Sequence, residues 1–513
     1  MENEYILAMY DVRGKQDYIY NNPKIKQIAG ASWIIRDCFD DYLFPAAKEV
    51  SEKGIFTYKN SNETENTEFT EEGFKKHIED GYAGEVVYDG GGNFFVLFKN
   101  SEIYKEVNKK FYVKLLKETY TLRVLTSYIE NVHFDDYQGD QKRLRDEHKK
   151  TEQRESISYP LNALPIVQVD NYSSLPATDE IELPNRSNKQ KISKESKAKY
   201  DKYDELFKSE ESHNSEKMLD NLIEEKGVDS HLAVIYIDGN SMGAKVEKIT
   251  GNATNYEESI KIIRDFSSRI EKEYITEPIK EIDAFLNTNE GKEKNRRFVV
   301  YAGDEVTFIC NAKHAYNVVK IYFDTIQRKN KGNSSCAGIA IFHSHSPYSE
   351  AYRIAEECCE NGKKLMKKKE VGNACLMDFH YCQGAIGTSL DDIREHEGTA
   401  EFCNPWLLSY SENKMDVPNE ELINEEPINE ELINEIQDIL QKIARSNGKT
   451  LLQAAKESAS IYEMEIERII AHCKDDTLKK TLAEKRDKLK KNRGLIYRMM
   501  LVYDLWFKGD ADK

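Results

Sequence analysis

Arg297-Phe-Val-Val-Tyr-Ala-Gly303-Asp304-Glu305-Val-Thr-Phe-Ile-Cys310 is the stretch that decides the fold of this chain. Two apolar runs flank a Gly-Asp-Glu turn, the pattern of a β-hairpin with carboxylates at its tip. Upstream, Ala233-Val-Ile-Tyr-Ile-Asp238-Gly-Asn-Ser-Met-Gly243 is another apolar run that meets a carboxylate and a glycine where it should turn. Helical periodicity over 256–286 separates the two stretches, a helix over 312–326 follows, and 336–342 reads as the next strand. The order β-α-β-β-α-β is the ferredoxin-like arrangement. A further helix over 348–366 and a strand over 374–379 extend it.

The N-terminal part repeats that order. Residues 5–11 read as a strand and a helix runs through 25–28 and 33–35 to Phe44. Residues 85–88 and 93–98 form a hairpin through Asp89-Gly-Gly-Gly92, with a helix over 101–118 and a strand over 122–128 after it. Residues 51–82 are polar and weakly periodic, which reads as an insertion. Two copies of one fold imply an internal pseudo-dimer with a site between the copies. The fold class expected is α+β, two ferredoxin-like domains plus a C-terminal helical domain.

Asp11 then corresponds to Asp238, and Gly90-Gly91-Gly92-Asn93 to Ala302-Gly-Asp304-Glu305. The first copy lacks the turn acids and should not hold two metals, although its glycines Gly90, Gly91 and Gly92 admit close approach of a nucleotide; a tight hairpin accounts for them equally. In the second copy, Asp238, Asp304 and Glu305 at neighbouring strand ends suit divalent cations and a triphosphate. An acid ending a strand and an Asp-Gly turn are each ordinary; it is their co-occurrence in this β-α-β-β order that points to a site. Gly239, Asn240, Ser241 and Gly243 lie in a turn entering a helix, where backbone N–H groups cradle phosphates. Lys363 and Lys364 follow on the later helix. Surface placement is the default for a lysine in so basic a segment, and Lys363 is the one assigned to assist at the triphosphate. The reaction class is nucleotidyl transfer or cyclisation, with Mg2+ or Mn2+ as cofactor and an NTP as substrate.

With a net charge of −17 the chain as a whole should not coat nucleic acid. Basic stretches at 189–202 and 479–498 read as solvated faces or loops. No apolar run is long enough to span a bilayer and the N-terminus has no signal-peptide pattern, so no membrane partner and a cytoplasmic location are expected. The nine cysteines show no CxxC pair and read as free thiols, mostly in the core. The expected boundaries are 1–132 for a non-catalytic first domain, 133–229 for a charged connector, 230–385 for a catalytic second domain, 386–435 for an acidic linker and 436–513 for a helical domain. Helices are expected over 431–446, 449–473 and 477–507. In the last of them Leu495, Met499, Val502 and Trp506 should face the core.

The chain resembles the large polymerase/cyclase subunit of type III CRISPR effector complexes, the family with two palm domains. In the first copy the resemblance rests on Asp11-Val-Arg-Gly-Lys-Gln-Asp-Tyr-Ile-Tyr20, Ile28-Ala-Gly-Ala-Ser32 and Gly90-Gly-Gly-Asn-Phe94. In the second it rests on Asp238-Gly-Asn-Ser-Met-Gly243, Ala302-Gly-Asp-Glu305, Ala337-Gly-Ile-Ala340 and Met377-Asp-Phe-His380. It implies that both copies are palms of the nucleotide-cyclase, GGDEF-like kind, and that Asp238, Asp304 and Glu305 take the family's metal-binding, ATP-polymerising role. The implied product is a cyclic oligoadenylate signal in antiviral defence. Implied partners are guide RNA and other subunits of such a complex, and a homo-oligomer is equally open. The alternative is a non-catalytic palm protein that senses a nucleotide or serves as a scaffold. Three departures stand out. The family's GGDD turn is Ala-Gly-Asp-Glu here, and the chain begins at the first palm, so no HD nuclease activity is expected. The zinc-ribbon position between the palms, 164–177, has no cysteines.

Overall fold

The computed structural model describes residues 5–22, 24–60, 68–90, 93–154, 166–182, 189–207, 219, 222–223, 230–251, 253, 255–287, 296–369, 374–384, 389–410 and 428–508. Its contacts divide the chain into two compact units. One holds Met1–Met218, Ser241–Ile275 and Val299–Asp304; the other holds Leu219–Asn240, Thr276–Phe298 and Glu305–Lys513.

In the first unit, β1 (Ile6–Arg13), β2 (Ile55–Phe56), β3 (Gly84–Gly90), β4 (Asn93–Phe98) and β5 (Arg123–Ile129) form a sheet in the order β2-β3-β4-β1-β5. Without β2, a short addition from the 51–82 insertion, that order is fourth-first-third-second, the ferredoxin-like topology. The helices of this unit are α1 (Lys15–Tyr20), α2 (Ile25–Arg36), α3 (Phe44–Lys48), α4 (Glu71–Glu79), α5 (Ser101–Thr119), α6 (Tyr137–Arg154), α7 (Lys194–Phe207), α8 (Met242–Thr250) and α9 (Tyr256–Ile270). Side chains alternate across a strand. Tyr10 on one face of β1 meets α5, donating its hydroxyl to Asn108 at 2.7 Å. On the other face Leu7, Val87, Leu97 and Ile129 pack with Phe74 of α4, Leu144 of α6 and Tyr256, Ile260 and Ile263 of α9. Arg264 of α9, buried, donates to the carbonyls of Val86 and Val87 at 2.6 and 3.0 Å and lies over the Tyr58 ring. These contacts are why residues 241–275, which follow the second palm's first strand in sequence, cluster with the first unit.

The connector is more structured than its charge pattern suggests. Besides α6 and α7 it contains a hairpin of β6 (Ala177–Ile181) and β7 (Gln190–Ser193). At the zinc-ribbon position the buried Asp170 carboxylate accepts from Ser196 Oγ at 2.6 Å and from the Ser193 and Tyr172 amides at 2.9 and 3.0 Å. Burial alone would raise this carboxyl; its hydrogen bonds outweigh that and hold it below the usual range. A carboxylate that gathers several donors does locally what a metal would do with several ligands. The basic stretch 189–202, expected as a solvated face or loop, is largely α7, and its Lys199 is fully buried. The Lys199 ammonium donates to Glu195 at 2.6 Å, to the Tyr18 carbonyl at 2.6 Å and to Asn21 at 2.9 Å, which satisfies it inside the protein. Gly30 of the Ile28–Ser32 motif lets α2 and α7 touch: a Cβ there would lie 1.9 Å from the Lys199 carbonyl oxygen.

In the second unit, β8 (His231–Gly239), β9 (Arg296–Ala302), β10 (Glu305–Asn311), β11 (Ser335–His343), β12 (Ala374–Tyr381), β13 (Trp406–Tyr410) and β14 (Ile428–Asn429) form a sheet in the order β14-β13-β12-β11-β8-β10-β9. Its core, β11-β8-β10-β9, repeats the fourth-first-third-second order. Helices α10 (Glu277–Asn287), α11 (Ala315–Lys329), α12 (Tyr348–Lys369) and α13 (Leu390–His396) belong to this unit. α12 lies directly on the sheet at Gly338, where a Cβ would sit 1.8 Å from the Ala355 carbonyl oxygen. Any larger residue there would force α12 off β11.

Several expected elements differ. The helix over 256–286 is interrupted by a π-turn at Glu271–Thr276, and α10 restarts at Glu277-Pro278, where proline's missing N–H is tolerated. The linker expected over 386–435 instead holds α13 and β13, whose Trp406 is fully buried; its acidic repeat over 419–427 lies outside the described residues. The C-terminal part is α14 (Glu430–Lys442), α15 (Arg445–Glu457), α16 (Ala459–His472), α17 (Asp476–Glu484), α18 (Arg486–Lys491) and α19 (Arg493–Leu501), with a π-turn at Tyr503–Phe507. Two expected helices are thus divided. Ser458, extended and accepting from the Ile461 amide at 3.2 Å, ends α15 and caps α16. Leu495, Met499 and Val502 are buried as expected and Trp506 donates to the Ala312 carbonyl at 2.9 Å. The basic stretch 479–498 is matched by acids: Lys485 and Lys488 pair with Glu435, Lys490 with Glu467 and Arg493 with Glu401.

His380 on β12 is buried and 3.9 Å from Glu397. Burial, with the charges of Arg394 and Arg498 against that of Asp378, lowers its pKa to about 3. Unfolded, it would titrate near about 6.5. Between those values only the unfolded chain takes up the proton, so the folded state loses stability as pH falls below about 6.5, by up to about 1.4 kcal/mol per pH unit. Moving from pH 7 to 5 is expected to cost up to about 2 kcal/mol from this group. Glu397, raised by burial, slopes the other way, so thermal melts of His380→Gln beside the unsubstituted protein isolate the histidine: the variant's melting temperature should be the less pH-dependent.

Candidate functional site

β8 and β10 run antiparallel with Ile237 opposite Val306. One step along, that register sets Asp238 near the end of β8 across from Glu305 at the start of β10. The first palm repeats the geometry residue for residue, with Asp11 of β1 opposite Asn93 of β4. The correspondence of Asn93 with Glu305 therefore holds in the register, and the second palm has two carboxylates where the first has one.

Asp238 points to the side of the sheet that α12 covers. Along α12, Tyr352, Glu356, Cys359 and Lys363 recur at helical spacing on one face. Tyr352 packs edge-on against Tyr236 with ring centroids 5.7 Å apart, two residues before Asp238 on the same strand face. Lys363 donates to Asp238 and forms an ion pair with it, each side chain about one-fifth exposed. Burial pulls the Lys363 ammonium down, but the charge and hydrogen bond of Asp238 more than reverse this, and its pKa is raised. The pair sets this lysine against Asp238, whereas Lys364 is exposed. Glu356 is half-buried, and burial with the charges of Glu357 and Asp238 raises its carboxyl. It is a candidate that sequence reading missed; the i, i+7 relation to Lys363 was its available signal. Cys336, facing Asp238 on β11, is buried and pushed up to about 12, so it offers no thiolate.

Gly303 and Asp304 make the β9–β10 turn, with Gly303 in the left-handed region at φ 66°. Asp304 makes its contacts in the first unit, where its charge joins burial in raising Tyr88 to about 12. Gly239 ends β8 opposite Ser335. Asn240 is buried, its side-chain nitrogen donating to the Ala374 carbonyl at 3.0 Å and its amide to the Ser334 carbonyl at 2.9 Å. Ser241 adopts φ 56° at the N-cap of α8 without a side-chain cap, and space is open around Gly243. Gly90 ends β3 opposite Asn93, while Gly91 and Gly92 lie outside the described residues.

Among the described residues no three acidic, histidine or cysteine side chains already converge as a metal site. The donors at the strand ends are nonetheless all oxygen, two opposed carboxylates with a third next in the turn. That set fits a hard divalent ion, which typically takes one or two carboxylates and fills its other positions with water and phosphate oxygens. The cationic partner already on Asp238 shows that this carboxylate needs positive charge. In the first palm Asp11 meets that need with Arg13 at 2.9 Å, and His148 of α6 lies 3.5 Å away.

No curated protein is similar in sequence to the chain. Among solved structures it is similar to the Csm1–Csm4 cassette in complex with cA4, at 12% identity over 98% of this chain and 70% of that one, with a TM-score of 0.47. It is similar to the cassette in complex with cA3 at 11% identity over 73% of this chain and 54% of that one, with a TM-score of 0.43, so it spans little more than half of that chain. Csm1 in T. onnurineus is similar at 11% identity over 98% of this chain and 70% of that one, with a TM-score of 0.47. No helix of the described residues is long and apolar enough to cross a membrane. Residues 231–372 match the family described as Cas10/Cmr2, second palm domain, a segment that opens on β8 and closes just past α12. The family match thus places a second palm domain of the Cas10/Cmr2 family at residues 231–372 of the chain.

Proposed function

We propose that this chain is a divalent-metal-dependent nucleotidyltransferase or cyclase that joins nucleoside triphosphates, ATP first, into a cyclic or linear oligonucleotide signal in antiviral defence. The observation that carries the reading is the β8–β10 register, which sets Asp238 across from Glu305 while the first palm has asparagine at the matching place. Asp238, Asp304 and Glu305 would hold Mg2+ or Mn2+. Bound there, the ion would favour ionisation of a ribose 3′-hydroxyl and offset charge on the attacked α-phosphate. Lys363 supplies a positive charge that a triphosphate can also use. In the turn from Gly239 to Gly243 the Asn240 amide is already bonded to Ser334, so the amides of Ser241, Met242 and Gly243 would be the ones offered to phosphate. The Tyr236–Tyr352 pair closes the floor beneath Asp238 against water. Guide RNA and other complex subunits belong to the same proposal as assembly partners.

The test is pyrophosphate release and mass spectrometry of products from a mixture of all four NTPs with Mg2+. Asp304→Ala is expected to abolish release, and turnover equal to that of the unsubstituted protein sinks the assignment. The ion pair that already neutralises Asp238 favours one other reading, a palm that binds nucleotide without turning it over. A nucleotide-dependent rise in melting temperature with no product would decide for that reading.

A further inference from the structure

We infer that Lys363 is a latch on the metal site: its ammonium holds Asp238 while the cation is absent, and a divalent ion must displace it before the site is complete. The inference rests on the proposed metal-dependent reading. Asp238 and Lys363 are bound to each other from different elements, β8 and α12, and both remain partly open to solvent, so an incoming ion can reach the pair. The lysine stem has four rotatable carbons, which lets the ammonium leave Asp238 without moving α12.

In the first palm the matching carboxylate is shared between two side chains, Arg13 and His148. Arg13, two residues along on the same strand, holds Asp11 and is itself paired with Glu152; His148 is held by Ser127 at 3.1 Å. Arg13 and His148 thus each bond a further group as well as Asp11, whereas the Lys363 ammonium is bonded to Asp238 from a long flexible stem. One palm has turned its strand-end acid into a structural ion pair; the other keeps it releasable. A released Lys363 lies beside the cation and can pair with a triphosphate oxygen. Cation entry and nucleotide capture would then be coupled through one side chain.

A latch makes a prediction that a simple phosphate ligand does not: removing it should tighten cation binding while weakening turnover. Mn2+ binding in the absence of nucleotide, followed by electron paramagnetic resonance, is the readout. Lys363→Met is expected to bind Mn2+ about three- to tenfold more tightly than the unsubstituted protein, since a partly exposed ion pair no longer competes. Lys363→Arg, which keeps the charge, should stay within about twofold of the unsubstituted protein. Both variants are first checked by melting temperature, and the arginine variant carries the comparison if the methionine variant does not fold: any tightening by arginine beyond twofold then counts against the latch. Asp238→Asn should lose the site in either background. Unchanged or weaker Mn2+ binding in Lys363→Met, with Asp238-dependent binding intact in the unsubstituted protein, overturns the latch alone. Binding that ignores Asp238→Asn in every background overturns the metal reading and the latch with it.

Discussion

Asp378→Ala is expected to destabilise the second unit by about 4 kcal/mol or more, with a fall in melting temperature of about 8–16 °C or loss of soluble protein. The side chain is fully buried on β12. Its carboxylate accepts from Arg394 of α13 at 3.0 and 3.2 Å, from Arg498 of α19 at 2.7 Å, from Asn361 of α12 at 3.3 Å and from the Phe379 amide at 2.8 Å. Burial alone would raise the carboxyl, but the two guanidinium charges win and its pKa is lowered, so it is ionised at any working pH. Removing one partner of a buried pair leaves an uncompensated charge, and here it leaves two. The arginines keep other bonds, to the carbonyls of Phe379 and Asn404, and Arg498 stacks on the Phe379 ring 3.9 Å away. Those bonds limit the loss without replacing the negative charge. Asp378→Asn keeps the shape and one acceptor and should fall between. Chemical denaturation followed by circular dichroism reads both, and a change below about 1 kcal/mol for Asp378→Ala would contradict the argument.

The Met377–His380 motif looked in sequence like a signature of the family; in the structure it anchors the C-terminal helices to the palm. A sequence cannot show this, because the arginines that complete the anchor lie in helices with no local pattern linking them to β12. The same limit explains Asp170 and Lys199. Each is a charged residue in a charged segment, and only long-range partners reveal that both are interior. What could be read was whatever depends on local period and turn chemistry: both ferredoxin-like strand orders, the two hairpins and the pairing of Asn93 with Glu305. The helix expected over 256–286 is there, but its π-turn was not legible, because an amphipathic period persists through such a turn and cannot reveal that the two ends cluster with different units. Lys363 and Asp238 were each legible as candidates, but their pairing was not, since strand-to-helix contact depends on the close approach that Gly338 permits.

Glu305→Gln is expected to lower turnover by a factor on the order of 10²–10³ with little change in KM, an effect comparable to removing one preorganised electrostatic group from a transition state. The substitution keeps the side chain's length and volume and removes its charge. If Glu305 shares a divalent ion with Asp238 from the opposite strand, one of two opposed carboxylates is lost and the charge developing on the attacked phosphate is less well offset. Under the proposed function, substrate contacts through the 239–243 turn and Lys363 would be untouched, so the loss should fall on kcat. Glu305→Asp separates charge from reach. It restores the acid pair that the resembled family has in its GGDD turn, with a side chain shorter by one methylene. Because the charge stays, activity is expected within about tenfold of the unsubstituted protein, since each tenfold corresponds to only about 1.4 kcal/mol of barrier. Steady-state kinetics of pyrophosphate release measures both variants. Equal losses in the two would show that reach matters as much as charge, and no loss in Glu305→Gln would remove Glu305 from the site. In the first palm the reciprocal change, Asn93→Glu, should confer no turnover, because Asp11 there is already held by Arg13 and His148.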